Sequence, residues 1–198
     1  SQIKPHIERR FSMPWSKPAA RMKEMISAIR AIWHTFETGD KLDHRGEFYT
    51  HTLMAPFFNP GPNPHGTPPI FLAGVGPIMT RVAGEVADGY FLHPFHTEEF
   101  LAETTMPSLT TGIESSNRPR SEFEVSAQVI VVSGKDDAAI KQAKRGAKAQ
   151  ISFYGSTPAY RGVLESVGQG ELQTELNRLT KQGGWADMPG LITDDLLE

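Results

Sequence analysis

Residues Pro68–Asp88 read PPIFLAGVGPIMTRVAGEVAD and divide into three parts. Ile70–Ala73 is a short apolar run, too brief for a helix and suited to a strand buried on both faces. Gly74-Val75-Gly76 supplies a flexible turn, and Pro77 takes the first helical position, where no amide hydrogen is needed. Ile78, Val82 and Val86 recur at a spacing of four, so one helical face is apolar and packs back on the strand. Asp88-Gly89 stops the helix, and Tyr90-Phe91-Leu92 opens the next strand. Strand, glycine turn, helix, strand is the building block of a parallel α/β fold.

A helix that starts beside glycines leaves amide hydrogens free and lets a ligand approach the backbone. That favours an anion, typically a phosphate, at Gly74, Val75, Gly76, Pro77, Ile78 and Met79. The dinucleotide fingerprint is not met, because Met79 stands where its third glycine belongs. The same glycines also suit a plain strand-to-helix connection, so both readings stay open.

Upstream, the spacing predicts a helix over Lys17–Glu37, with Ser16 as cap and Pro18 in the first turn. Met22, Met25, Ile26, Ile29, Trp33 and Phe36 form its apolar face; Lys23, Glu24, Ser27, Arg30 and Glu37 form the opposite, solvated one. Glu47–Thr50 is a short strand or hairpin arm. From Pro56 to Pro69 six prolines forbid regular structure.

Downstream, His93 ends the strand that begins at Tyr90. His93 and His96 have a metal-like spacing, but Pro94 intervenes and no carboxylate or cysteine cluster accompanies them, so no metal is expected. Thr97 caps a helix that runs to about Ser115. Residues 122–132, EFEVSAQVIVV, predict a long strand penetrating the core. Asp136 caps a helix to about Tyr154, with Lys141, Lys144, Arg145 and Lys148 on its solvated side. Further helices begin at Thr157-Pro158, around Leu172–Leu179, and at Thr193–Asp195.

Bulk properties narrow the class. The 198 residues carry a formal charge of −3 without a basic block, which argues against nucleic-acid and membrane-surface partners. Zero cysteines exclude disulfide and thiolate chemistry and fit a cytoplasmic protein. No apolar run approaches membrane-spanning length. No nucleophile elbow or acid pair points to a hydrolase.

The run GVGPIMTRVAGEVADGYFLHPF resembles the middle of the luciferase-like monooxygenases, above all the branch that uses the deazaflavin coenzyme F-420. The resemblance rests on Gly74, Gly76 and Pro77, then Ala83-Gly84-Glu85-Val86-Ala87-Asp88-Gly89. Ile32-Trp33 followed by Gly46-Glu47-Phe48-Tyr49, and Ser1-Gln2-Ile3-Lys4 with Arg10-Phe11, resemble flanking segments of that family. The match spans about residues 1–135.

The resemblance implies an α/β fold of the (β/α)8 TIM-barrel type, of which 1–198 is an internal portion in one domain. Core strands near 69–73, 89–93 and 122–132 would be the fifth to seventh of the barrel, followed by a helical part over 136–198. Strands one to four would precede Ser1 and the eighth would follow Glu198. It also implies an oxidoreductase with a deazaflavin, or alternatively FMN, whose phosphate sits on the Gly74–Met79 amides. His93, at the C-terminal end of its strand, is the candidate catalytic group. The loop over 56–69 would lie over the barrel's active end, with Phe57, Phe58 and His65 lining a substrate entrance, unless it is a plain surface loop. The substrate would be a small organic molecule, and members of the family are commonly dimers. The alternative is a catalytically silent relative or fragment that serves as an interaction or dimerisation module.

Overall fold

A computed structural model describes residues 3–197. Ser1 and Gln2, part of the N-terminal resemblance, and Glu198 lie outside the described residues. In order, the elements are α1 (Pro18–Thr38), β1 (His44–Arg45), β2 (Thr50–His51), β3 (Phe71–Gly74), α2 (Pro77–Val86) and β4 (Gly89–Leu92). There follow α3 (Glu98–Phe100), α4 (Met106–Ser115), β5 (Glu124–Ala127), α5 (Asp137–Gly155), α6 (Arg161–Glu165) and α7 (Gly170–Lys181). Strands β1 and β2 form an antiparallel hairpin with His44 opposite His51. The other three form a parallel sheet in the order β3-β4-β5. The fold is mixed α/β, a portion of a TIM barrel. The chain forms two compact units, one built on residues through Phe91 with Ser108–Ser126, the other on Leu92–Pro107 with residues from Ala127 on.

In the first unit the core lies between the sheet and its helices. Leu72 and Tyr90 are buried on the strands; Met79, Val82 and Ala83 are buried on α2. This stripe runs one residue off the expected one: Ile78 is 71% exposed, because it sits in the opening turn at the surface. Helices α2 and α4 approach to backbone contact through two glycines. A Cβ on Gly84 would stand 2.5 Å from the Leu109 carbonyl, and one on Gly112 would stand 2.1 Å from the Arg81 carbonyl.

Helix α1 departs from expectation at its cap. Ser16 does not cap it; its hydroxyl accepts from Arg21, and the cap position is Lys17 in a left-handed conformation. Ile26, Ala28 and Thr35 are its buried residues. Lys23, Ser27, Arg30 and Glu37 are exposed as expected, and several residues of this face also take partners. Lys23 pairs with Glu85 at 2.7 Å, and Arg30 donates to the Val86 carbonyl and the Asp88 carboxylate. The Glu24 carboxylate accepts the backbone N–H groups of Glu47, Phe48 and Tyr49 at 2.9, 2.7 and 2.6 Å. Gly46 must be glycine there, since a Cβ would fall 2.0 Å from Glu24 Oε1. Desolvation raises the Glu24 pKa, but the three amides together outweigh it and hold the carboxyl below its ordinary value.

Strand β5 ends at Ala127, well short of residue 132, and Val129 and Val131 are 67% and 72% exposed. The reason lies in its neighbour: Glu124 N–H bonds the Asp88 carbonyl at the start of β4, and β4 itself ends at Leu92. Beyond Ala127 the edge strand has no ladder to continue.

In the second unit Phe95, Phe100, Ile151, Val163, Leu164, Leu176, Met188 and Ile192 are buried. Two caps fall where expected: Asp136 accepts the Ala139 N–H, and Thr97 accepts the Phe100 N–H. The helix after Thr97 passes through a π-helical stretch, Leu101–Thr105, before α4. Pro107 explains it, for a proline lacks the N–H and crowds the carbonyl four residues back. Asp194 bonds Lys144 and Lys148 of α5, and a 3-10 turn covers Asp195–Leu197.

Two outcomes follow for stability. Because the folded Glu24 pKa is depressed, its contribution is present above the ordinary carboxylate value and is lost as pH falls through the folded value. Denaturant titration of Glu24→Gln should therefore show reduced stability at pH 7, with a gap to wild type that closes between about pH 5 and pH 3. Gly112→Val should cost about 3 kcal/mol in the same assay, since backbone, not a flexible side chain, fills the space.

Candidate functional site

The expected anion turn lies where β3 meets α2. Gly76, Pro77 and Ile78 are exposed, Gly74 and Val75 are half-buried, and Met79 is buried. No side chain caps α2; its first hydrogen bond runs from Thr80 N–H to the Gly76 carbonyl at 3.1 Å. The earlier amides of the helix therefore remain for an external acceptor. Gly76 has φ −72° and ψ 149°, and a Cβ there would meet nothing within 4 Å. Its value is thus an unobstructed approach and not an unusual backbone. Gly74 differs, because a Cβ would come within 2.9 Å of Met79 Cγ.

Two buried hydroxyls brace this turn from beneath. Tyr90, 1% exposed on β4, donates to the Gly74 carbonyl. Thr80, fully buried, lies 3.1 Å from Tyr90 Oη and 3.1 Å from the Gly76 carbonyl. The Tyr90 proton is committed to Gly74, so Thr80 donates either to Tyr90 Oη or to Gly76. Burial pushes the Tyr90 pKa up and keeps it a donor. Both carbonyls of the turn are thereby held toward the protein.

His93 directly follows β4 and packs within the second unit. Its Nδ1 accepts the Phe95 N–H at 3.1 Å, which puts the ring proton on Nε2, 3.4 Å from Tyr160 Oη. The Tyr154 and Tyr160 ring centroids lie 4.6 and 4.8 Å from the imidazole. Burial, then the nearby His96, push the His93 pKa down, so the ring is neutral at pH 7. His96 turns its Nδ1 to the His93 carbonyl at 2.8 Å. Among the described residues no group of three or more His, Cys, Asp or Glu could hold a metal ion.

The proline-rich loop anchors elsewhere. Asn63 N–H bonds Glu37, and the Asn59 amide bonds the Thr35 carbonyl, both near the C-terminal end of α1. Earlier on the same helix, Arg30 meets Asp88 at the N-terminal edge of the strands. The loop is thus fastened at the end of the sheet opposite the glycine turn. Phe57 and Phe58 are 91% and 72% exposed, and His65 is exposed. A groove of about 390 Å³ opens between this loop and Trp33, Phe36 and Glu37.

Several residues of the recognised motifs serve the scaffold. Gly84 admits α4, and Glu85 takes Lys23 and Arg81. Asp88 accepts the Ile70 N–H at 2.7 Å and faces Arg30 and Arg118. The brace made by Tyr90 and Thr80 escaped sequence reasoning. A tyrosine in a strand and a threonine one turn into a helix carry no spacing signal until the two elements are docked.

No helix among the described residues is long and apolar enough to cross a membrane. The family model of the luciferase-like monooxygenases matches residues 1–198. An uncharacterized protein of Mycobacterium tuberculosis is 52% identical over 197 residues, covering 100% of this chain and 58% of that protein. The 5,10-methylenetetrahydromethanopterin reductase of Archaeoglobus fulgidus is 26% identical over 196 residues, covering 96% of this chain and 54% of the reductase. Among solved structures, the coenzyme F-420 dependent tetrahydromethanopterin reductase of Methanopyrus kandleri superposes with a TM-score of 0.66 at 19% identity. That alignment covers 94% of this chain and 50% of the reductase. The chain spans about half the length of the relatives it matches. Its parallel sheet, its glycine turn and the match along its whole length place the chain in the luciferase-like monooxygenase family.

Proposed function

We infer that the chain forms part of an oxidoreductase that binds a deazaflavin, coenzyme F-420, with FMN as the alternative, and acts on a small organic substrate. The carrying observation is the exposed, uncapped start of α2, with open space above Gly76 and both turn carbonyls held inward by Tyr90 and Thr80. Such a surface fits a phosphate: the first amides of the helix have no side-chain cap, and the helix dipole favours negative charge. Gly74–Met79 would hold the phosphate tail. Bound there, the cofactor supplies hydride chemistry at its ring, while the protein contributes position and electrostatics. Arg81 is not free to assist, since it pairs with Glu85 at 2.9 Å. His93, at the C-terminal end of β4, is the polar group proposed for the substrate side. Relatives named for F-420 dependence support the deazaflavin over FMN. In solution the chain is proposed to work as a homodimer.

Fluorescence titration of the purified chain with F-420 and with FMN tests this reading. Gly76→Val is the informative variant, because a Cβ there meets no protein atom within 4 Å and the backbone is ordinary. Its thermal unfolding should match wild type while cofactor affinity falls at least about tenfold, a loss of about 1.4 kcal/mol. A chain that binds neither cofactor would instead be the silent interaction module. Tyr90→Phe should cost about 1–2 kcal/mol of stability. It should also weaken binding of F-420 more than binding of its phosphate-free deazaflavin head.

A further inference from the structure

The groove between the proline-rich loop and α1 lies within the first unit, at the end of the sheet opposite the glycine turn, and the proposed cofactor leaves it unused. Trp33, Phe36 and Glu37 line it from α1. They stand three and four residues apart, so one helical face brings two aromatic rings and a carboxylate to the same wall. The facing wall draws on Pro60, Pro62, Pro64 and Pro68, which have no N–H to offer a ligand. Between those prolines, the N–H groups of Gly61 and Asn63 are already given to Asn59 Oδ1 and Glu37 Oε1, at 2.9 and 3.0 Å. At these positions the backbone can therefore offer a ligand acceptors but no donors. Glu37 Oε2 has no partner among the described residues, and no Lys, Arg or His lines the groove. Aromatic rings, a carboxylate without a counter-charge and a donor-poor wall disfavour an anion and suit a positive charge carried on an apolar body. The volume of about 390 Å³ falls at the small end of the range in which proteins bind small molecules.

We propose that this groove is a binding site for a small organic cation, an alkyl- or arylammonium, whose charge pairs with the Glu37 carboxylate and whose apolar groups pack on Trp33 and Phe36. Glu37 then has two tasks. Its Oε1 fastens the loop through the Asn63 N–H, and its Oε2 meets the cation, so the group that holds the ligand also fixes the wall opposite. The site needs no cofactor on the glycine turn.

The test titrates the full chain with choline, with benzyltrimethylammonium and with the uncharged isostere of choline in which a tert-butyl group replaces the trimethylammonium. Amide and indole N–H resonances are followed by NMR, and Trp33→Phe assigns the Trp33 indole signal. Both cations should shift that signal and the Gly61, Asn63 and Thr67 amides, with a Kd of about 10 mM or tighter. The isostere should bind at least about tenfold more weakly than choline. Glu37→Gln keeps an acceptor for the Asn63 N–H, so it should raise the cation Kd about tenfold with Tm unchanged. Thr67→Lys, a substitution at an exposed residue of the groove that brings in a competing positive charge, should raise it as far, about tenfold. No shift at Trp33 with about 50 mM of either cation overturns the proposal. So does an isostere that binds as well as choline, or a cation Kd that either variant leaves unchanged.

Discussion

One carboxylate fastens the first unit together. Asp88 accepts the Ile70 N–H just before β3, faces Arg30 of α1 and Arg118 ahead of β5, and offers its carbonyl to Glu124 at the head of β5. The Ile70 carbonyl in return takes the N–H groups of Asp88 and Gly89. Three strands are thus aligned at their starting ends by the groups around a single residue. At 31% exposure its side chain is shielded enough to matter, and backbone hydrogen bonds give it geometry that a surface ion pair lacks. With the starts of the strands fixed, their far ends, including the glycine turn, are fixed as well.

Much of the fold was legible before the structure. The apolar run, glycine turn and proline-led helix of residues 68–88 appear as β3 and α2, and the strand at Tyr90 appears as β4. Thr97 and Asp136 cap as their chemistry demands. What the spacing could not show was the partners that the polar face takes. Alternation and helical spacing rank residues by polarity, and Lys23 and Arg30 are exposed as ranked, yet each also meets a polar partner, as Glu24 does. The run QVIVV suggested a buried strand, but pairing depends on the length of the neighbour, and β4 is only four residues long.

The site was legible to a lesser degree. Glycines beside a proline indicated the turn, while the hydroxyls that brace it came from positions 80 and 90, which only tertiary structure brings together. The recognisable motif residues turned out to be largely structural: Gly46 clears room for Glu24, Gly84 clears room for α4, and Asp88 aligns strands. A motif of this kind reports a shared scaffold more strongly than a shared reaction.

The chelation of Glu24 also bears on how the molecule comes together. Strands β1 and β2 are two residues each, far too little ladder to persist unaided in water. The arm between them is organised by a carboxylate from a helix some twenty residues earlier. It can take shape only after that helix has formed. Excised as a peptide or grafted onto another scaffold, the arm would arrive without its template.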